Sequence, residues 1–437
     1  MKAMDSSVSR NLVVIGLVLI LSFVVIAAGL PAVQAGQSSN VAPSSITTTV
    51  IPVQLFDMSA HDGVLHSDPW PTMPIWGMRL WDSNVGWAQI NTARGVYNWS
   101  TLDSWITEAE NHNTQLVYTF GMTPSWASSK PTDTTCDYSP GACDPPSDLN
   151  LDGTGTDQNF IDFVSAIAQH APSITRWEMW NTPHDIKQWT GSKAQLVRMT
   201  ADARASIKKY VPNAQIISPA NGQLNYVYPN GNCTMADKMG KYLAAGLGQY
   251  IDVVAFHTYY TATPENIVPV IQCYQSVMAQ YNVSSLPLWS TEGSWGTDTT
   301  VPKNTDQAAF VARLYLLLWA NGVTRHYWYD WNDQQTGTLE SNGVTNKAGT
   351  AYAQVESWMV GRTMTTPCFS NTAGLWKCNF SGANGYSSKA IWNPGGNVSF
   401  VPPAPYVNYL DLAGTKHTFA PGASITIGVE PVLLQNQ

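Results

Sequence analysis

The chain has 437 residues, only 12% of them charged, and a formal net charge of −8. Lys and Arg never form a run, so a nucleic-acid partner has no electrostatic footprint to bind. The length exceeds one average domain and suits a β/α barrel plus a small module.

Residues 12 to 30 carry no charge and follow Lys2 and Arg10. They read as an export signal, and Val33 and Ala35 before Gly36 suit peptidase cleavage. The apolar run is also about long enough to span a bilayer, so an uncleaved anchor is the alternative. Either way the folded part is expected outside the cytoplasm. The segment divides as 1–35 signal peptide or anchor and 36–50 Ser/Thr-rich linker. The six cysteines, at 136, 143, 233, 273, 368 and 378, are even in number in an exported chain, which favours disulfides over metal ligands. Short loops close easily, so proximity suggests Cys136 with Cys143, Cys233 with Cys273, and Cys368 with Cys378, one pairing among many. No Cys-x-x-Cys or His-x-x-x-His spacing supports zinc. No cofactor is implied. The sequons at Asn98, Asn282 and Asn397 matter only in a host that glycosylates.

From residue 51 to 360, short apolar runs alternate with longer amphipathic ones, the pattern of parallel strands with crossover helices. Eight strands are predicted, at 53–56, 76–80, 115–120, 174–180, 215–218, 251–257, 288–292 and 323–329. Helices are predicted between most of them, for example from Ala194 to Tyr210 and from Asp306 to Ala320. The expected fold is a (β/α)8 TIM barrel, whose active site lies at the C-terminal strand ends. No Gly-x-Gly-x-x-Gly follows the first strand, so a dinucleotide fold is a poor rival. From 361 to 437 the texture changes to short, turn-punctuated strands, read as a β-sandwich domain.

Polar residues collect at the predicted strand ends: Arg79 on the second, Asn181 on the fourth, His257 on the sixth and Glu292 on the seventh. The chain also holds 18 Trp and 19 Tyr. Aromatic rings stack on the apolar faces of sugars, although packing accounts for most of them.

Three motifs, Trp177-Glu178-x-Trp180-Asn181-x-Pro183, Phe256-His257-x-Tyr259 and Thr291-Glu292-Gly293, stand in this order on strands four, six and seven. Together they resemble the clan of retaining barrel glycosidases, in particular glycoside hydrolase family 39 and related bacterial barrels, over roughly residues 50 to 435. The resemblance implies a carbohydrate substrate, Glu292 as nucleophile, and Asn181 bonding the sugar 2-hydroxyl. It implies Arg79 holding Glu292 ionised, and His257 and Tyr259 orienting nucleophile or substrate. For His257 a satisfied buried imidazole is the equal alternative. Trp328 and Trp331 compete for the sugar-stacking platform.

The family's proton donor is a Glu at the position of Thr182, 110 residues before Glu292. A threonine hydroxyl cannot serve as general acid. A replacement could come from Glu178, Asp185, Asp330 or Asp333; the leaving group could need no proton, as in plant myrosinases; or the barrel could bind carbohydrate without cleaving it. The expectation is an exported, monomeric retaining O-glycosyl hydrolase with an impaired acid/base step, meeting a membrane only through an N-terminal anchor. A catalytically inactive carbohydrate-binding barrel is its rival.

Overall fold

Eight parallel strands form a single sheet that closes on itself: β1 (Phe56–Ser59), β2 (Gly77–Leu80), β3 (Gln115–Thr119), β4 (Arg176–Glu178), β5 (Gln215–Ile217), β6 (Val254–His257), β7 (Leu288–Gly293) and β8 (Val323–Trp328). Their spatial order is β5-β4-β3-β2-β1-β8-β7-β6. The remaining seam, between β5 and β6, is made by the parallel bridges Ile217↔Val253 and Asn221↔Phe256. There the Ser218 hydroxyl accepts from the Ala255 amide at 2.9 Å, replacing a backbone carbonyl. The computed structural model describes residues 47–60, 69–222, 233–259, 263–295, 301, 305–332 and 336–437. The predicted export segment and the linker as far as residue 46 lie outside them. No helix among the described residues is long and apolar enough to cross a membrane.

Helices follow the strands in turn: α1 (Trp87–Ile90) and α2 (Ser100–Asn111) after β2, α3 (Gln158–His170), α4 (Lys193–Tyr210), α5 (Thr234–Ala244), α6 (Ile267–Gln280), α7 (Thr305–Ala320), and α8 (Lys347–Met359) after β8. Local sequence sets their starts. Ser192 and Gln195 form a reciprocal capping box on α4, with side chain to amide distances of 3.0 and 2.8 Å. Asn346 caps α8 by accepting from the amides of Ala348 and Gly349.

Period-two alternation fills two separate compartments. Outward residues such as Met78, Leu80, Tyr118 and Trp177 join the helices in the main core. Inward residues Val117, Ile217, Val253, Ala255, Trp289 and Tyr327 pack the lumen. Asp57 and Arg325 pair in that lumen at 3.0 Å, with the guanidinium 4.9 Å from the Trp289 ring centroid.

Several strand ends differ from expectation, the sixth strand for instance starting at Val254 rather than 251, and two of the differences have a clear backbone cause. Residues 53–55 form a 3-10 turn rather than the first strand, because Pro52 at φ −82 opens a turn closed by the Leu55 amide on its carbonyl. The fourth strand stops at Glu178 instead of 180, since Trp180 adopts φ +80.

Beyond a small hairpin, β9 (Glu340–Ser341) and β10 (Val344–Thr345), the C-terminal region folds as two antiparallel sheets. One is six-stranded: β11 (Thr363–Ser370), β12 (Trp376–Ser381), β13 (Ser387–Trp392), β18 (Val432–Gln435), β15 (Asn408–Leu410) and β16 (Lys416–Thr418). The other pairs β14 (Val398–Phe400) with β17 (Ile425–Ile427). Leu375, Ile391, Ile427 and Leu434 form the core between them. Trp392 fastens this layer to the barrel by donating its indole N–H to Glu265 at 2.8 Å. The three disulfides are Cys136–Cys143, Cys233–Cys273 and Cys368–Cys378, as sequence proximity suggested. They fit an extracellular protein.

Candidate active site

At the C-terminal strand ends the inward positions are polar, and Arg79 organises them. Its guanidinium donates from Nε to Glu178 at 2.6 Å, from Nη1 to Glu292 at 2.9 Å and from Nη2 to Asn181 at 2.7 Å. Strands β2, β4 and β7 are thereby tied to one planar cation, a fork that a lysine could not reproduce. Arg79 and Glu178 are wholly buried, whereas the Glu292 side chain is 12% exposed. Of the two carboxylates on Arg79, Glu292 is therefore the one that reaches the mouth. Burial opposes the charge on Arg79, but the two carboxylates outweigh it and raise its pKa.

The second oxygen of Glu292 accepts from the Tyr259 hydroxyl. Burial and the Glu292 charge raise the tyrosine well above its ordinary pKa, so it stays a donor. Glu292 is thus fixed in rotation by one bond to each oxygen. The following glycine is dictated by β6: a Cβ at Gly293 would lie 2.3 Å from the Thr258 carbonyl oxygen. That close approach delivers Tyr259 to Glu292.

His257 lies 3.8 Å from Glu292 through Nδ1, beyond hydrogen-bond range, and neither ring nitrogen has a partner among the described residues. Burial, then the charge of Arg79, push its pKa well down, so the imidazole is neutral. Asn181 accepts from Arg79 and donates to the Thr182 hydroxyl at 3.2 Å. Thr182 sits at φ +38, an unusual backbone for a β-branched residue and a local strain of about 1–2 kcal/mol. The structure therefore brings together Arg79, Asn181, Thr182, His257, Tyr259 and Glu292.

Trp328 and Trp331 do not join them. Both are 0% exposed and lie in the main core, and the Trp328 indole donates to the Gly337 carbonyl at 2.7 Å. Tyr327 occupies the lumen-facing phase of β8, so its neighbour Trp328 must face outward, toward Trp295 and Tyr315. The sugar platform expected from them is corrected accordingly.

The substitute acids fare no better. Glu178 is enclosed and wholly buried, with one oxygen accepting from both Arg79 and Thr119. Asp185 faces solvent. Asp330 is fully buried and accepts from the Asn332 amide, and Asp333 lies outside the described residues.

Two groups escaped the sequence reading. His184, two residues past Thr182, has an Nδ1 sealed from solvent, and burial first, then Lys238, lowers its pKa to about 4. It is neutral at pH 7 and offers no imidazolium proton there. Asp82, three residues past Arg79, accepts from the hydroxyls of Tyr138 at 2.7 Å and Tyr329 at 2.9 Å. The available signal was its place in Arg79-Leu80-Trp81-Asp82, just past a barrel strand.

Asp133, Cys136, Cys143 and Asp144 bring four ligand-type atoms together. The sulfurs are spent in a disulfide, and Asp144 holds Lys130 and Thr190. That cluster clamps its loop.

No protein-family model and no curated protein matches the sequence. Solved structures do resemble the fold. A GH39 β-xylosidase from Caulobacter crescentus superposes with a TM-score of 0.58 at 13% identity, covering 89% of this chain and 97% of that one. A GH30 endoxylanase from Clostridium papyrosolvens C71 gives 0.59 at 13% identity, with 89% and 97% covered. A glucosidase from Croceicoccus marinus gives 0.54 at 12% identity, with 88% and 98% covered. The chain has the TIM-barrel fold of these glycoside hydrolases, and carries extra β-sheets at its C-terminus.

Proposed function

We propose that the protein is an exported retaining glycosidase in which Glu292 is the nucleophile and position 182 supplies no acid. The observation that carries this reading is the pair of bonds on Glu292, from Arg79 and Tyr259, on a carboxylate that reaches the barrel mouth. A carboxylate oriented in this way attacks an anomeric carbon, and the bond to the departing oxygen breaks as the glycosyl–Glu292 ester forms. Asn181 stands beside it to bond the 2-hydroxyl as oxocarbenium character develops.

Without a carboxyl at 182 the aglycone leaves as an anion, and the incoming water loses no proton to a base. Both steps slow by about 10² to 10⁴ for ordinary alkyl or sugar leaving groups. Phenolic or other acidic leaving groups escape the first penalty. The second reading, a barrel that binds glycan without cleaving it, is favoured by Thr182 itself, whose hydroxyl is taken up by Asn181.

A 2-fluoro glycoside carrying a dinitrophenolate leaving group separates the two. The glycosidase reading expects a covalent adduct on Glu292, found by peptide mass, and with ordinary dinitrophenyl glycosides an acceleration by azide, which attacks the ester without needing a base. Absence of any adduct across common neutral sugars would favour the binding reading.

A further inference from the structure

The mouth holds a second carboxylate arrangement that the cleavage chemistry does not use. Asp82 follows β2, Tyr329 follows β8, and Tyr138 comes from the loop closed by Cys136–Cys143. Three segments far apart in sequence thus converge, each tyrosine bonding a different oxygen of one carboxyl. Trp81 props the loop through an edge contact with Tyr138, ring centroids 5.6 Å apart. Asp82 is half-buried rather than sealed, and Tyr138 is 51% exposed. Each carboxyl oxygen keeps a lone pair for a further donor.

Its place in the ring of strands says which part of a sugar it meets. Thr182 (after β4) and Glu292 (on β7) bracket β5 and β6 on one side, while Asp82 and Tyr329 stand on the other arc, across β8, β1 and β2. With the anomeric carbon on Glu292 and the leaving group toward Thr182, the hydroxyls remote from the cleaved bond lie over that other arc.

Resting on the glycosidase reading of this mouth, we infer that Asp82, held by Tyr138 and Tyr329, is the specificity determinant for the glycone: it accepts hydrogen bonds from hydroxyls of a neutral sugar and rejects uronic acids. The charge balance supports the second half. Among the described residues, the cation whose field reaches Asp82 is Arg79, and its guanidinium already bonds Glu178, Glu292 and Asn181. Among the described residues, a sugar carboxylate arriving here would meet Asp82 and Glu292 while the Arg79 guanidinium is already engaged. Burial, and in smaller part the Glu292 charge, also raise the Asp82 pKa.

The test is affinity electrophoresis of the full chain in gels containing arabinoxylan, xyloglucan or polygalacturonate, for wild type, Asp82→Asn and Tyr138→Phe. Tyr138 is exposed enough for its variant to fold. Wild type is expected to be retarded by a neutral glycan and not by polygalacturonate. Asp82→Asn should weaken neutral binding about tenfold or more, as for a lost hydrogen bond to a charged group, and narrow the preference against polygalacturonate. Tyr138→Phe should weaken neutral binding by a smaller factor.

Equal neutral binding by wild type and Asp82→Asn overturns the inference, as does wild-type binding to polygalacturonate or to none of the three. Adduct formation on Glu292 is scored separately with neutral 2-fluoro glycosides. An adduct with unchanged Asp82→Asn selectivity therefore sinks only the specificity claim, and Asp82-dependent binding without an adduct sinks only the hydrolase reading.

Discussion

Replacing Arg79 by Met tests whether one cation holds the site together. The substitution keeps much of the side-chain volume and removes three donated bonds, to Glu178, Glu292 and Asn181. Glu292 retains Tyr259 and an opening to solvent, but Glu178 is left wholly buried with only the Thr119 hydroxyl at 2.9 Å. Breaking a buried pair by removing one partner costs about 3–5 kcal/mol. The folded body has about 390 residues, and an unfolding entropy of roughly 2.1 cal/mol/K per residue makes each kcal/mol worth about 1.2 °C. The expected fall in Tm is therefore about 4–6 °C near pH 7.5, read by circular dichroism or calorimetry. Adduct formation on Glu292 should slow in parallel. An Arg79→Met protein melting within about 1 °C of wild type at pH 7.5, with unchanged trapping, would refute the idea that Arg79 carries the site.

Thr182→Glu restores a carboxyl where the resemblance expects the acid. Its kcat/KM on alkyl or oligosaccharide substrates should rise by about 10² to 10⁴, with little gain on dinitrophenyl glycosides; an absence of gain on both would mean that more than the acid is missing. Asp57, fully buried, has its pKa raised to about 6, with burial outweighing the opposing pull of Arg325 and Arg176. The native state thus holds a proton that the unfolded chain releases above its ordinary value of 3.8, so this group's contribution to stability falls as pH rises from about 4 to 6. The two-unit shift corresponds to about 3 kcal/mol. Asp57→Asn should accordingly gain on wild type by about that amount between pH 4 and 7, and a difference in Tm independent of pH would contradict the burial argument.

Much of the barrel was legible because it is written locally. Strand periodicity, helix caps and the spacing of short disulfide loops are properties of neighbouring residues, and they mark eight strands, their interleaved helices and the pairing of Cys136 with Cys143 without reference to the rest of the chain. The candidate nucleophile came instead from the resemblance carried by Thr291-Glu292-Gly293, a short motif at the end of an apolar run whose glycine answers a close backbone approach.

What the sequence left open was phase and company. Alternation says that Tyr327 and Trp328 face opposite ways but not which one faces the lumen, and closure of the sheet put Tyr327 inside and sealed Trp328 behind the wall. Likewise, no local pattern joins Asp82 to Tyr138 and Tyr329, 56 and 247 residues away. Side chains so distant meet only when the strands close into a ring that gathers their ends at one mouth. The chain by itself determined the repeating elements and the candidate nucleophile. Tertiary structure decided which further polar groups share its cleft, because those are contacts between strand ends, fixed by sheet closure rather than by sequence neighbours.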